Sequence, residues 1–172
     1  MIGLDELAVS LRSTALPPVE QWQPALCGDI DIRICADGRW QHEGADFQRR
    51  DLQILLAGLL RREGDEYFLV TPGEKMRIQV EDQAFVISLV HQQDGRIELL
   101  TNCGERLVLG AGHPLQFSAV NGDQIALVEV RAGLFARFSR SAWYALVALA
   151  EENAAGDWCI CSDGVCWELP LE

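Results

Sequence analysis

The sequence predicts an α+β protein made of two compact, β-rich parts. Three observations support this fold class. Apolar and polar residues alternate over many short stretches, as in half-buried strands. Turn-forming pairs such as Asp37-Gly38 separate those stretches. Each half also contains one run with the apolar spacing of a helix. A chain of 172 residues suits one larger domain or two small, closely packed ones.

The first part, residues 1–65, is predicted to be a hairpin followed by a helix. A short helix is expected within residues 1–13, where apolar residues fall at helical spacing. Charged and apolar residues then alternate over residues 29–34, which is typical of a half-buried strand. The Asp-Gly pair at 37–38 favours a type I′ turn into a returning strand at 39–42.

A second helix is predicted from a run of leucines. Between Leu52 and Leu59 they recur at i, i+3, i+4 and i+7, which places them on one helix face. We place Arg61 and Arg62 in the last turn of this helix, where the helix dipole favours cations. Gly64 is the predicted C-cap.

The second part, residues 66–172, is predicted to be an open barrel closed by a helix. An apolar helix, expected to be largely buried, is predicted at 140–152, with Ser139 or Ser141 as its N-cap. Strands closed off by one helix resemble the pleckstrin-homology arrangement, although the likeness is superficial. The predicted strands are residues 66–71, 75–80, 84–91, 96–102, 106–109, 115–119 and 125–131.

A short repeat favours a duplicated hairpin-plus-helix core. The segment from Ile34 to Gly38 matches the segment from Ile160 to Gly164, and each centres on an Asp-Gly pair. Each half also contains one predicted helix. Together these features indicate duplication of one supersecondary unit.

The tail is rich in cysteine. A two-residue loop at Asp163-Gly164 places Cys161 opposite Cys166 in a non-hydrogen-bonded pair, with Cα atoms about 4.5 Å apart, close enough for a disulfide. Three interpretations stay open: buried or idle thiols, a redox-responsive pair, and a metal site. The metal site would lack a nearby fourth ligand beside Cys159, Cys161 and Cys166.

Charge and hydropathy exclude some classes of function. A net charge of −12 argues against general nucleic-acid binding and against binding to anionic membranes. The longest apolar run, 142–150, is far shorter than the roughly 18 residues of a membrane span. The start of the chain lacks an export signal, so we expect a cytoplasmic protein with reduced cysteines.

Arginines precede the last predicted helix. Arg131, Arg137 and Arg140 would form an anion site there, because free N–H groups and the helix dipole add to their charge. The alternative is that they pair with the many carboxylates of this chain. Since all of its 14 cationic residues except Lys75 are arginine, planar bidentate contacts are favoured in either case.

Two further groups of polar residues are candidate ligand contacts. Asp29, Asp31 and Arg33 share one strand face, where they would form an ion-pair ladder, contact a ligand or provide an acid/base pair. Tyr67 and Thr71 present hydroxyls on one face of a later strand. That strand is either the edge of a pocket or simply a core strand.

No catalytic motif is recognisable. The chain has no Gly-x-Ser-x-Gly elbow, no phosphate loop and no dinucleotide fingerprint, and its three histidines are scattered. We therefore predict no cofactor, no metal and no assigned catalytic residue. A hydrolase using Asp29, Asp31 or Glu74 is the weakest alternative, because it needs carboxylates that converge in a pocket.

Several long motifs, in order, resemble a bacterial family known as domain of unknown function 1285. The resemblance runs from about Pro17 to Ala150. Its motifs are Pro17-Pro18-Val19, Trp22-x-Pro24, Gly28 to Ile34, Asp37-Gly38-x-Trp40, Glu63 to Pro72, Thr101-Asn102, His113-Pro114-Leu115 and Val130 to Arg137. The tail after Glu152 departs from the pattern of the family.

The resemblance implies a two-part fold with a duplicated core, and no established activity. A nucleotide-like ligand at the interface of the two parts, and a role in signalling, have been proposed for this family. On this sequence the proposal maps to Arg33, Tyr67, Thr71, Arg131 and Arg137. We therefore expect a ligand-binding or regulatory protein that holds a small anion. The main alternative is a protein–protein adaptor that uses a strand edge or an apolar groove.

Overall fold

The computed structural model describes residues 15–170 of the chain. The helix predicted within residues 1–13 lies outside them. The chain divides into two compact units, Met1–Asp82 and Gln83–Glu172. From the sequence we expected the division between Asp65 and Glu66. In the structure it falls after Asp82. The physical reason is that strands Glu66–Val70 and Lys75–Val80 complete the N-terminal sheet by hydrogen bonding.

The N-terminal unit is one six-stranded sheet with one helix. The sheet order is β3-β2-β1-β6-β5-β4, and the central pair, β1 and β6, is parallel. A short 3-10 turn, Val19–Gln21, precedes the sheet. The strands are β1 (Leu26–Ile34), β2 (Trp40–His42), β3 (Ala45–Asp46), β4 (Leu60–Glu63), β5 (Glu66–Val70) and β6 (Lys75–Val80), and the helix is α1 (Arg50–Gly58).

Alternation along β1 explains its place in the sheet. Ile32 and Ile34 are buried, whereas Asp31 and Arg33 are exposed, as the period-2 pattern predicts. Opposite Ile34, Trp40 is 1% exposed and fills the core. The predicted strand is therefore confirmed, and its charged face points away from the core.

Helix α1 ends earlier than predicted. It stops at Gly58, and Arg61 and Arg62 lie on β4, so their assignment to the last helical turn is wrong. Gly64 has a φ of 61° in the turn between β4 and β5, so it caps a hairpin and not a helix. The reason is non-local: the Arg61 guanidinium donates to the backbone carbonyls of Val19 and Trp22.

The C-terminal unit contains a second six-stranded sheet, one helix and a three-stranded tail sheet. Its main sheet has the order β10-β11-β12-β7-β8-β9, with β7 and β12 parallel at the centre. Helix α2 packs against β7 and β12. The elements are β7 (Phe85–Gln93), β8 (Arg96–Thr101), β9 (Arg106–Leu109), β10 (Leu115–Val120), β11 (Asp123–Arg131), β12 (Leu134–Phe138), α2 (Arg140–Val147), β13 (Glu151–Glu152), β14 (Trp158–Ser162) and β15 (Val165–Glu168).

Strands β5 to β11 confirm the seven predicted strands, but β12 was not predicted. It begins after a turn in which Ala132 and Gly133 have positive φ, and buried residues alternate along it. Helix α2 is also shorter than predicted. Ser139 is its N-cap, as expected, and accepts from the Ala142 N–H at 3.2 Å. The helix is not largely buried, because Tyr144 is 59% exposed.

Both main sheets have the same topology, which confirms the predicted duplication. Each consists of two three-stranded antiparallel meanders, and the first and last strands pair in parallel at the centre. The helix follows the third strand in one unit and the sixth in the other. One of these sheets curls into a half-barrel, in agreement with the predicted open barrel.

The repeated sheet also relocates the sequence repeat. The turn equivalent to Asp37-Gly38 is Asp94-Gly95, between β7 and β8, and an arginine follows each of them. The matching segment at 160–164 lies instead in the tail sheet, outside the repeated strands. That short match therefore does not mark equivalent positions.

The tail sheet is attached to the main sheet through its loop. The buried Ser162 hydroxyl accepts from the Ile97 N–H at 2.8 Å and donates to the Leu109 carbonyl at 2.6 Å. The Asp163 carboxylate pairs with Arg96 at 2.9 Å. Within the part of the chain that the structure describes, no helix is long and apolar enough to cross a membrane.

Candidate functional site

A shallow cleft in the C-terminal unit contains part of the predicted ligand-binding chemistry. Its volume is about 260 Å³, and it lies between strands β11 and β12 and the first turn of α2. Two of its lining residues, Arg137 and Arg140, were predicted as ligand contacts. The lining consists of Gln124, Ile125, Ala126, Arg137, Phe138, Arg140 and Trp143.

Local structure brings the two arginines to the same cleft. Arg137 lies on β12, where it is paired with Leu127 of β11. The chain then stays extended at Ser139 and turns into α2, so Arg140 opens the helix. Ser139 stabilises this change of direction, because its carbonyl accepts from the Trp143 N–H at 2.8 Å and its hydroxyl caps the first turn.

Aromatic rings form the apolar side of the cleft. Trp143 meets Phe138 edge to face, with ring centroids 6.2 Å apart, and meets Phe117 in the same way at 6.5 Å. The Arg140 guanidinium lies over the Tyr144 ring, 5.8 Å from its centroid. The cleft therefore combines cationic groups with a rigid aromatic wall.

The charge of the cleft differs from that of the chain. Among the residues that the structure describes, none that lines the cleft is acidic, although the whole chain has a net charge of −12. Two guanidiniums and the Gln124 amide provide several N–H donors. Such a set of donors favours a phosphate or carboxylate over a cation.

Arg131, the third arginine of the predicted anion site, does not line this cleft. It lies at the end of β11 and pairs with Glu105 at 3.1 Å, with both side chains less than 20% exposed. Its guanidinium also lies over the Phe85 ring at 5.5 Å. These contacts describe a structural ion pair between the end of β11 and the turn that precedes β9.

Arg33 and Asp31 lie on β1 of the N-terminal unit. Arg33 donates to the Gln79 side chain at 2.9 Å and pairs with Glu81 at 3.5 Å. Its neighbour Asp29 pairs with Arg77 of β6 at 3.1 Å, and Asp31 is exposed. The ladder therefore forms across the two parallel strands and not along β1 alone.

Tyr67 and Thr71 are also in the N-terminal unit. Tyr67 is buried, Arg62 lies over its ring at 5.5 Å, and burial raises the pKa of its phenol. The Thr71 hydroxyl accepts from the Glu74 N–H at 3.0 Å and so closes the turn after β5. The structure thus gives both residues local partners, and their assignment to a ligand stays a prediction.

Sequence reasoning missed the non-cationic half of the cleft. Gln124, Phe138 and Trp143 line it beside the arginines. Trp143 was detectable, because it lies one helical turn after Arg140 and therefore on the same side of α2. Gln124 and Phe138 carried no signal, since their positions depend on the pairing of β11 with the unpredicted β12.

A second, smaller cleft lies on the outer face of β7 to β9. Its volume is about 170 Å³, and its lining includes a carboxylate, Glu98, as well as His91 and Arg106. Leu89 is 62% exposed beside it. Among the described residues, no group of three or more histidine, cysteine or acidic side chains is arranged to hold a metal ion.

Two family models match adjoining parts of the chain. The model described as "Domain of unknown function (DUF1285), N-terminal domain" matches residues 17–83. The model described as "Protein of unknown function (DUF1285), C-terminal domain" matches residues 84–169. The junction of these matches agrees with the division of the structure after Asp82.

Solved structures are similar as well. A DUF1285 family protein from Silicibacter pomeroyi DSS-3 is 35% identical, with a TM-score of 0.85 over 97% of this chain and 94% of that chain. One from Shewanella baltica OS155 is 27% identical, with a TM-score of 0.57 over 68% of this chain and 90% of that chain. None of the curated proteins compared with the chain matches it. The resemblance in the sequence motifs is thus confirmed, and the chain belongs to the DUF1285 family.

Proposed function

We propose that the protein binds a small, phosphorylated or nucleotide-like anion in the cleft bordered by Arg137 and Arg140. The observation behind this proposal is the convergence of two guanidiniums, an amide and an aromatic wall in a cleft that no acidic residue lines within residues 15–170. In a chain of net charge −12, a cationic cleft attracts anions locally while the rest of the surface repels polyanions. A regulatory role follows, in which occupancy by the anion is the signal.

The size of the cleft limits the ligand. At about 260 Å³, it falls just below the roughly 300–1,000 Å³ of sites that enclose drug-sized molecules. It accommodates one phosphate and a small planar group, and a dinucleotide would extend well beyond it. Arg137 and Arg140 would contact the anionic group, and Trp143 would pack against the planar group.

A thermal-shift panel tests the proposal with the full chain. The probes are inorganic phosphate, pyrophosphate, AMP and an uncharged nucleoside. Ligands that bind only the native state must raise the melting temperature, so we expect shifts with the anions and none with the nucleoside. If none of the three anions raises the melting temperature at millimolar concentration, the proposal is contradicted. A cytoplasmic location, where phosphorylated metabolites are abundant, is part of the same proposal.

A protein–protein adaptor is the second candidate function. The observation that favours it is Leu89, which is 62% exposed beside a cleft with mixed charges on β7 to β9. Recovery of one stoichiometric partner by wild-type protein, lost in Leu89→Ser, would support this candidate. Equal recovery by both proteins would count against it.

A further inference from the structure

The tail hairpin presents a disulfide to solvent. Cys161 on β14 and Cys166 on β15 are directly opposite in register, their Cα atoms are 4.1 Å apart, and their sulfurs are bonded. Both residues are exposed. The two-residue loop predicted at Asp163-Gly164 explains the register, since both residues have positive φ and Ser162 pairs with Val165.

The other four described cysteines differ from this pair, because none of them forms a disulfide and three of them are buried. Cys35, Cys103 and Cys159 are buried, and Cys27 is exposed; all four are free thiols. Cys159 is closest in sequence to the disulfide, on the same face of β14 two positions before Cys161. Its sulfur accepts a weak hydrogen bond from Asn153 at 3.5 Å inside the fold. The Cys161–Cys166 bond is therefore the sulfur pair that a small thiol in solution reaches.

The disulfide joins the two ends of the loop that attaches the tail sheet to the main sheet. Ser162 and Asp163 lie between the two cysteines and make the contacts to the main sheet. The Ile97 N–H donates to the Ser162 hydroxyl, and the Asp163 N–H donates to the Gly95 carbonyl at 3.0 Å. A bond across the strands immediately beside these residues restricts the conformations that the loop can adopt.

We propose that Cys161 and Cys166 form a reversible redox couple whose co-reactant is a small thiol of the glutathione class, and that their oxidation state controls how firmly the tail hairpin holds to β8 and β9. A thiolate attacks one sulfur, the protein S–S bond breaks, and a mixed disulfide forms while the other cysteine leaves as a thiolate and takes up a proton. A second thiol then releases the first cysteine as a thiol. Two electrons pass to the protein, and two small thiols become one disulfide.

Equilibration in buffers of defined glutathione ratio tests the couple. After trapping with an alkylating reagent, mass spectrometry of the full chain reports which cysteines are modified. We expect modification of Cys161 and Cys166 to rise together and reversibly as the buffer becomes more reducing, and that of Cys159 to stay constant. A pair that stays fully oxidised or fully reduced across the series would overturn the proposal, as would an oxidised pair that includes Cys159.

Amide hydrogen exchange tests the effect on the tail. Reduction should make the Ile97 amide exchange about tenfold faster, because the loop that accepts its hydrogen bond gains freedom. Cys161→Ser/Cys166→Ser should exchange at the reduced rate under all conditions, and Cys27→Ser should behave as wild type. Equal exchange of Ile97 in the oxidised and reduced wild type would refute control of the tail by this bond.

Discussion

The two units share one sheet topology but use their arginines differently. In the N-terminal unit, six of the described arginines pair with carboxylates of the same unit. In the C-terminal unit two arginines border a cleft whose lining has no acidic residue among those described. The N-terminal pairs are Arg33 with Glu81, Arg39 with Asp37 and Asp46, Arg49 with Asp51, Arg61 with Glu63, Arg62 with Asp65, and Arg77 with Asp29 and Glu66.

This difference teaches that the fold alone does not locate the site. A repeated sheet provides two equivalent scaffolds, and function depends on which side chains each scaffold presents. The position of the helix separates the units: α2 follows the last strand of its sheet and so brings Arg140 and Trp143 beside Arg137. In the N-terminal unit the helix follows the third strand.

The largest predicted effect concerns Arg61, the clearest case of an arginine used for structure. Arg61→Ala should lower the free energy of unfolding by about 3 kcal/mol, because two backbone carbonyls and Glu63 lose a buried partner. Urea denaturation followed by tryptophan fluorescence measures the change.

Arg39→Ala is the matched control for Arg61. Its side chain is 57% exposed and its partners are surface carboxylates, so its loss should lower stability far less than the loss of Arg61. Equal losses of stability in the two variants would remove the distinction between buried and surface arginines in this unit.

In the C-terminal unit, the buried polar side chain that joins distant segments is the neutral hydroxyl of Ser162. Ser162→Ala should lower stability by about 1–3 kcal/mol, because the buried Ile97 N–H and Leu109 carbonyl both lose their partner. The same denaturation experiment measures it, with the exposed Ser141→Ala as control. A neutral result for Ser162→Ala would mean that water replaces the hydroxyl and that the loop does not fasten the tail.

Glu63 should make a smaller contribution to the free energy of unfolding, and this contribution should depend on pH. Hydrogen bonds from Lys75 and then Arg61 hold the pKa of this carboxyl below its usual value. Its stabilising contribution is therefore complete above the unfolded-state pKa of about 4.3 and is lost as the pH falls through the lower folded-state pKa. Because Glu63 is 40% exposed, we expect less than about 1 kcal/mol.

Denaturation of wild type and Glu63→Gln at several pH values measures this contribution. The difference in stability between them should be largest near neutral pH and should vanish in strong acid. A difference that stays constant with pH would show that the carboxylate charge is not involved.

Local sequence patterns predicted the strands well but predicted the wrong type of turn at Asp37-Gly38. The Asp163-Gly164 loop has two residues, so the predicted register of Cys161 opposite Cys166 is confirmed. Their disulfide contradicts the expectation that the cysteines are reduced. At Asp37-Gly38 the type I′ prediction is wrong, because Cys35 donates to the Arg39 carbonyl and only Gly38 has positive φ. Asp37 there accepts from Arg39 at 2.7 Å, which favours a longer loop.

Non-local contacts explain the remaining misses. Arg61 is drawn onto a strand by carbonyls about 40 residues away in sequence, which no local helical spacing can reveal. The cleft was half predicted: the arginines were identified from the sequence, but β12, which carries Arg137, was not. Its lining by Gln124 follows from the pairing of β11 with β12 and not from any local motif.

Isothermal titration of two double variants with pyrophosphate tests the central claim most directly. Arg137→Ala/Arg140→Ala removes both cleft guanidiniums, and Arg39→Ala/Arg49→Ala removes two exposed, ion-paired guanidiniums of the other unit for the same change in net charge. We predict that the cleft variant loses more than about a hundredfold in affinity and that the control binds as wild type, since two charge-assisted contacts of about 1.5–3 kcal/mol each are removed. Wild-type affinity in the cleft variant, or equal losses in both, would contradict an anion site bordered by Arg137 and Arg140.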